Sequence, residues 1–144
     1  MQTQIRVTNN HPLIKIETHF FKKLVELVLK DEKLSAREII VIFCGKKFMR
    51  KLHKNYLNKE SDTDVITFNL SDSEQVEGEI YISLDLAKEN ALKFKVSEES
   101  ELSRLIIHGL LHLKGYEDST KLGEKKMRKI ENNYLQKFTY QIVQ

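Results

Sequence analysis

His108 and His112 stand four residues apart in the stretch Ile-Ile-His-Gly-Leu-Leu-His-Leu-Lys-Gly-Tyr-Glu-Asp, which runs from Ile106 to Asp118. On a helix that spacing stacks two imidazoles one turn apart on the same face, as two ligands of one metal ion require. Asp118 follows beyond Lys114 and Gly115, a cation and a glycine that together mark a helix C-terminus. After such a turn its carboxylate is close enough to return to the imidazoles. Two histidines and one carboxylate are a known catalytic zinc set that leaves a position open for water, and the chemistry of that set is hydrolysis.

Each of these residues also has a plainer reading. The histidines can merely share an exposed strip, and Asp118 can be the N-cap of the next helix, because acidic and hydroxyl residues fill positions 117 to 120. The surrounding helix bears on the choice. Wound at about 100° per residue, it spreads Leu102, Leu105, Ile106, Ile107, Leu110, Leu111 and Leu113 over most of its circumference. His108 and His112 fall in the remaining gap beside Glu101 and Arg104, so a mostly buried helix keeps one open slot. Ser97 and the acidic run Glu98 to Glu101 cap its start.

The other elements form its scaffold. Ile5 to Thr8 reads as a strand, and Asn9 to Pro12 as a turn whose proline opens a helix from Leu13 to Lys30, with Ile16, Phe20, Leu24, Leu27 and Val28 inward. Glu38 to Cys44 is a β-branched run without alternation, as in a strand covered on both faces, and the strand-helix-strand order predicts a parallel pair. Gly45 starts a basic helix to Tyr56, with Phe48, Leu52 and Tyr56 inward and Lys47, Arg50, Lys51 and Lys54 outward as a solvated face or a nucleic-acid patch. Asp64 to Leu70 and Glu77 to Ser83 read as a hairpin at one side of the sheet. A helix from Leu84 to Phe94 turns Leu84, Ala87, Ala91 and Phe94 inward. The last helix, from Thr120 to Tyr140, does so with Leu122, Met127, Ile130, Tyr134 and Phe138. Its outer lysines and Arg128 would favour an anionic substrate. The expected fold is one α/β (α+β) domain over residues 1–144: a small mixed sheet of four strands with about five helices, the histidine helix central.

Composition sets the outer bounds. The chain has 144 residues, 40% hydrophobic and 31% charged, with one proline, which suits an ordinary globular domain. A net charge of +3 permits contact with phosphate without demonstrating it. The single cysteine, Cys44, excludes a disulfide within the chain and reads as a buried structural thiol. The start carries no apolar signal core, and no run approaches the ~20 apolar residues of a membrane span. The expectation is a cytoplasmic protein without a membrane partner.

The central motif resembles the signature His-Gly-x-Leu-His-Leu-x-Gly-Tyr-Asp-His of the YbeY family, bacterial metal-dependent endoribonucleases of ribosomal RNA maturation. Asp62-Thr63-Asp64-Val65-Ile66-Thr67-Phe68 is similar to the family's Pro-Thr-Asp-Val-Leu-Ser-Phe, Gly78-Glu79-Ile80 to its Gly-Asp-Ile strand, and Glu124 to Glu131 to its Glu-x-x-x-Met-x-x-x-Glu ending. The resemblance implies a single-strand-specific endoribonuclease acting in 16S rRNA 3'-end maturation and ribosome quality control, with one zinc ion per chain. It also implies RNA and the ribosome or its proteins as partners. Two of the family's three zinc histidines fall on His108 and His112; the third position is Asp118. Where the family usually has Tyr-Arg-Gly-Lys-Asp, this chain has Tyr56-Leu57-Asn58-Lys59-Glu60, so the arginine position is Leu57 and Lys59 remains as the phosphate contact.

In this reading His108 and His112 serve catalysis through a water on the metal, and Glu79, Glu101 and Glu117 are all open as general base. One competing reading is a ribosome- or rRNA-binding assembly factor with weak or no catalysis. Another is a zinc metallopeptidase, whose extended motif shares the histidine spacing but carries a glutamate where this chain has Gly109.

Overall fold

Strand β2 (Ala36–Cys44) is the spine of the molecule, hydrogen-bonded on both sides. The structure is a computed structural model that describes residues 2–143, with side chains through residue 138. Strands β1 (Gln4–Asn9) and β4 (Val76–Ser83) flank β2, both parallel to it, and β3 (Val65–Asn69) closes the sheet antiparallel to β4, giving the order β1-β2-β4-β3. The unalternating sequence of β2 has its reason here. Ile39, Val41 and Phe43 point into the main core while Ile42 and Cys44 are buried on the opposite face.

Helices α1 (His19–Glu32) and α4 (Glu98–Lys114) cover the core face, and α5 (Lys121–Val143) packs across both. Helix α3 (Leu84–Phe94) leans on α4, and α2 (Lys46–Leu57) lies on the other face, over Cys44, Ile66 and Tyr81. Ten residues of α4 are buried, and a fully buried leucine or isoleucine contributes roughly 1.5–3 kcal/mol. Two glycines bring α4 close to the sheet. A Cβ on Gly78 would meet Leu113 Cδ1 at 2.4 Å, and one on Gly109 would meet Ile80 Cδ1 and Cγ2 at 2.9 Å.

The strands, the hairpin and α3 lie within two residues of their expected bounds, and α4 has the expected caps, the Ser97 hydroxyl accepting from Ser100 N and Gly115 taking the left-handed turn at φ 115°. Four expectations need correction. Helix α1 begins at His19, not Leu13. Pro12 opens no helix because side chains capture the backbone there: His11 Nδ1 accepts from Leu13 N and Ile14 N, and Asn9 Nδ2 donates to Ile14 O.

Helix α2 turns Met49 and His53 inward, leaving Phe48 and Tyr56 exposed and Leu52 half-buried. His53 can be buried because its Nδ1 meets the Ser61 carbonyl at 2.8 Å. Phe94, in the last turn of α3, is half exposed. Leu122 faces outward because Gly123 docks the first turn of α5 against the Glu117 carbonyl, where a Cβ would come within 2.5 Å.

Candidate metal centre

The open slot of α4 lies over β3. His108 and His112 are half-buried, and their Nε2 atoms face each other at 3.0 Å. Asp118 Oδ2 completes the triangle, 3.2 Å from His108 Nε2 and 3.5 Å from His112 Nε2. Ligands about 2.0–2.1 Å from a tetrahedral ion lie roughly 3.3 Å from one another, so the three separations fit a common shell.

The opposite ring nitrogens are already committed. His112 Nδ1 lies 3.1 Å from the Tyr116 carbonyl, and His108 Nδ1 lies 2.7 Å from Glu131 Oε2. A carbonyl only accepts, as does a carboxylate, so each Nδ1 carries a proton and Nε2 is the nitrogen left to offer a lone pair to a metal. Two lone pairs and a carboxylate oxygen facing one point repel one another unless a cation lies among them. The cluster of His108, His112 and Asp118 could hold a metal ion.

The turn after α4 builds much of this. Gly115 N reaches the Leu111 and His112 carbonyls and Tyr116 N the Leu111 carbonyl, which ends the helix and presents the Tyr116 carbonyl to His112. The N-cap of α5 is Thr120, whose hydroxyl accepts from Gly123 N at 3.0 Å. Asp118 is therefore free of the capping role and turns to the histidines.

Behind His108 runs a chain of buried and half-buried polar groups. Glu131 is 1% exposed and takes Arg104 Nη1 at 3.4 Å as well as the imidazole. Arg104 also binds Glu101, equally buried, through Nε at 3.0 Å and Nη2 at 2.6 Å. Asn90 Nδ2 then links Glu101 to Asp64 at the start of β3. Burial works to lower the pKa of the Arg104 guanidinium, but the two carboxylates outweigh it and hold the group above its usual value.

Glu131 entered the sequence reading only as part of a motif, with no role assigned. Its signal was its position: Met127, Glu131, Tyr134 and Phe138 make one buried stripe of α5, and a carboxylate in an apolar stripe needs a partner.

A cleft of about 330 Å³ opens on the histidines, walled by Leu57, Val65, Thr67, Asn69 and Leu113. Leu57, at the family's arginine position, thus lies at the cleft, whereas Lys59 is exposed and does not line it. Of the open general-base candidates, Glu101 is committed to Arg104 and Asn90. Glu79 lies on the far face of β4, accepting from the Tyr81 hydroxyl. Glu117 is exposed beside Asp118. A larger hollow of about 670 Å³ between β1 and α1 includes none of these residues.

Fold and cluster together define an α/β domain with a candidate metal centre on its most buried helix. Residues 5–139 match the family model described as endoribonuclease YbeY. Curated relatives called endoribonuclease YbeY include one from Chlorobium phaeovibrioides, 44% identical over 79% of this chain and 77% of its own. The one from Flavobacterium psychrophilum is 39% identical over 87% and 89%. A solution structure of a Thermotoga maritima protein, 26% identical, matches 96% of this chain and 89% of its own with a TM-score of 0.66. The chain belongs to the YbeY family.

Proposed function

We propose that this protein is a metal-dependent endoribonuclease that cleaves single-stranded RNA during ribosomal RNA maturation, with zinc held by His108, His112 and Asp118. The observation that carries the reading is the convergence of three donor atoms whose outer partners already fix both imidazole tautomers. Bound there, zinc would lower the pKa of a water towards neutrality and polarise a phosphoryl oxygen.

The chain's own residues supply the rest. Glu131 and the Tyr116 carbonyl orient the imidazoles, and Asp118 offsets positive charge. The cleft beside β3 would admit the strand to be cut, and Lys59, exposed two residues beyond the cleft-lining Leu57, would serve as a phosphate contact. A peptidase is disfavoured by more than sequence: a side chain at position 109 would strike Ile80 and Thr67, so the helix has no room there for a glutamate base.

A second reading, an assembly factor that binds RNA with weak cleavage, draws on Leu57, which gives the cleft an apolar side chain in place of a guanidinium.

The test is metal content by elemental analysis, with cleavage of a labelled single strand, for wild type, His112→Ala and Asp118→Ala. We expect about one ion per chain, lost in both variants together with cleavage. A wild type that stays metal-free under zinc-replete conditions would overturn the nuclease reading in favour of the binding factor.

A further inference from the structure

The far face of the sheet carries a feature that the metal centre does not use. Four rings form a continuous chain there: Phe48 stacks on Tyr81 at 6.1 Å between centroids, Tyr81 meets Phe68 edge-on at 5.8 Å, and Phe68 meets Tyr56 at 5.6 Å. Burial does not account for the outer two, since Phe48 is 50% exposed and Tyr56 69%. The inner ring is pinned, because the Tyr81 hydroxyl donates to Glu79 Oε1 at 3.0 Å.

Helix α2 sets a cationic row beside the rings. Phe48, Leu52 and Tyr56 recur every four residues, and Lys47, Lys51 and Asn55 make the parallel row one residue before them. The helix contains no acidic residue. Lys46 and Arg50 pair with Asp62, and Lys54 with Glu60, whereas Lys47 and Lys51 have no acidic partner among the described residues. The platform also adjoins the cleft in sequence: Tyr56 is followed directly by Leu57, which lines the same cleft as His108 and His112.

We propose that α2 and the outer face of the β3–β4 hairpin form a stacking platform for unpaired bases of single-stranded RNA, with Phe48 and Tyr56 as the exposed stacking rings and Lys47 and Lys51 as backbone contacts. Exposed ring faces bind any unpaired base, and a neighbouring lysine row tracks the phosphates, which together give sequence-tolerant binding of single strands. Duplexes hide their base faces and are excluded. That the bound strand is led on to the metal centre rests on the nuclease reading; the platform itself does not.

The experiment is binding of a short fluorescent oligouridylate by anisotropy, the RNA checked for intactness afterwards, with a duplex of equal length as control. Phe48→Ala and Tyr56→Ala each weaken single-strand binding by roughly five- to tenfold, with metal content and Tm unchanged. Lys51→Ala lowers the slope of log affinity against log salt by about 0.7. The wild-type chain has no tryptophan, so the indole of Tyr56→Trp is a unique reporter, quenched by oligouridylate and not by the duplex.

Unchanged affinity in both alanine variants, or an indole blind to RNA, overturns the proposal; so does equal sensitivity of duplex binding. If an alanine variant fails to fold, Tyr56→Trp and Lys51→Ala still decide it. Ring-dependent binding without cleavage would sink the nuclease reading and leave the platform standing. Normal cleavage with ring-independent binding would do the reverse.

Discussion

Glu131 Oε2 lies 2.7 Å from His108 Nδ1, and that carboxylate is 1% exposed. A buried carboxylate behind an imidazole fixes the ring's tautomer and raises its basicity as a ligand. Glu131→Gln keeps the shape but removes the charge, and its amide can present a donor to Nδ1, favouring the wrong tautomer. The expected result is a 10- to 100-fold loss of metal affinity, measured by competition with a chromophoric chelator. Affinity equal to wild type would mean that Glu131 serves packing alone.

Arg104 is bound by two buried carboxylates from different helices, Glu101 and Glu131. Arg104→Met leaves Glu101 without its cation and Glu131 with only the exposed Arg128 at 3.7 Å, and breaking a buried ion pair on one side costs about 3–5 kcal/mol. At roughly 2–4 °C per kcal/mol for a chain of this size, Tm falls by about 10 °C. Calorimetry of the metal-free protein isolates this effect from any loss of the ion. A shift of a degree or two would show that solvent reaches the pair.

Legibility in the sequence followed how local each cause is. Ser83, Ser97 and Gly115 carry their capping roles in their own residue types, so the start of α3 and both ends of α4 are legible directly. The start of α1 could not, because His11 and Asn9 hold the segment open through bonds that depend on the turn already being formed. Helix α2 was legible as a helix but not in its orientation: its periodicity allowed either Phe48 and Tyr56 or Met49 and His53 inside, and the narrow strip around Cys44 and Ile66 takes the second pair. In the candidate site, His108, His112 and Asp118 stand close in sequence and could be proposed together. Glu131 reaches His108 only because α5 folds back along α4, which no local pattern announces.

Gly109 tests how tightly the site's helix must sit. Gly109→Ala gains about 1 kcal/mol of helix propensity. Against this, the new methyl would lie 2.9 Å from two Ile80 carbons and 3.0 Å from Thr67 Oγ1, and overpacking of this kind costs typically 1–3 kcal/mol. The net expectation is a loss of about 1 kcal/mol in urea unfolding, with weaker metal binding as α4 lifts from β3. A stabilised variant would show that Ile80 can move aside.

Asp118 and Thr120 separate the ligand from the cap. Asp118→Asn removes the charge facing the two imidazoles and lowers metal affinity, with little effect on the metal-free protein. Thr120→Ala removes the cap of α5 and costs about 1 kcal/mol of stability, with metal content unchanged. Urea unfolding of both variants, with and without chelator, checks the pair. If Thr120→Ala also lost the metal, the turn and the site would be one unit.

Alkaline pH should unfold the protein through two acids packed under α2, on the face of the sheet opposite α4. Burial, with Asp85 adding to it, pushes the Cys44 thiol up to about 12 from an ordinary value near 9. Burial and the bond to Glu79 push Tyr81 up to about 12 from near 10. Both acids are held neutral in the folded state, so their contribution is fully present below their unfolded pKa values and is lost as pH rises through the window from about 9 to about 12. Urea midpoints should therefore be flat below that window and fall across it, and the native thiol should stay unreactive to a maleimide until urea exposes it. Cys44→Ala should flatten the lower part of the fall. If that variant follows wild type throughout, the alkaline transition belongs to the tyrosines instead.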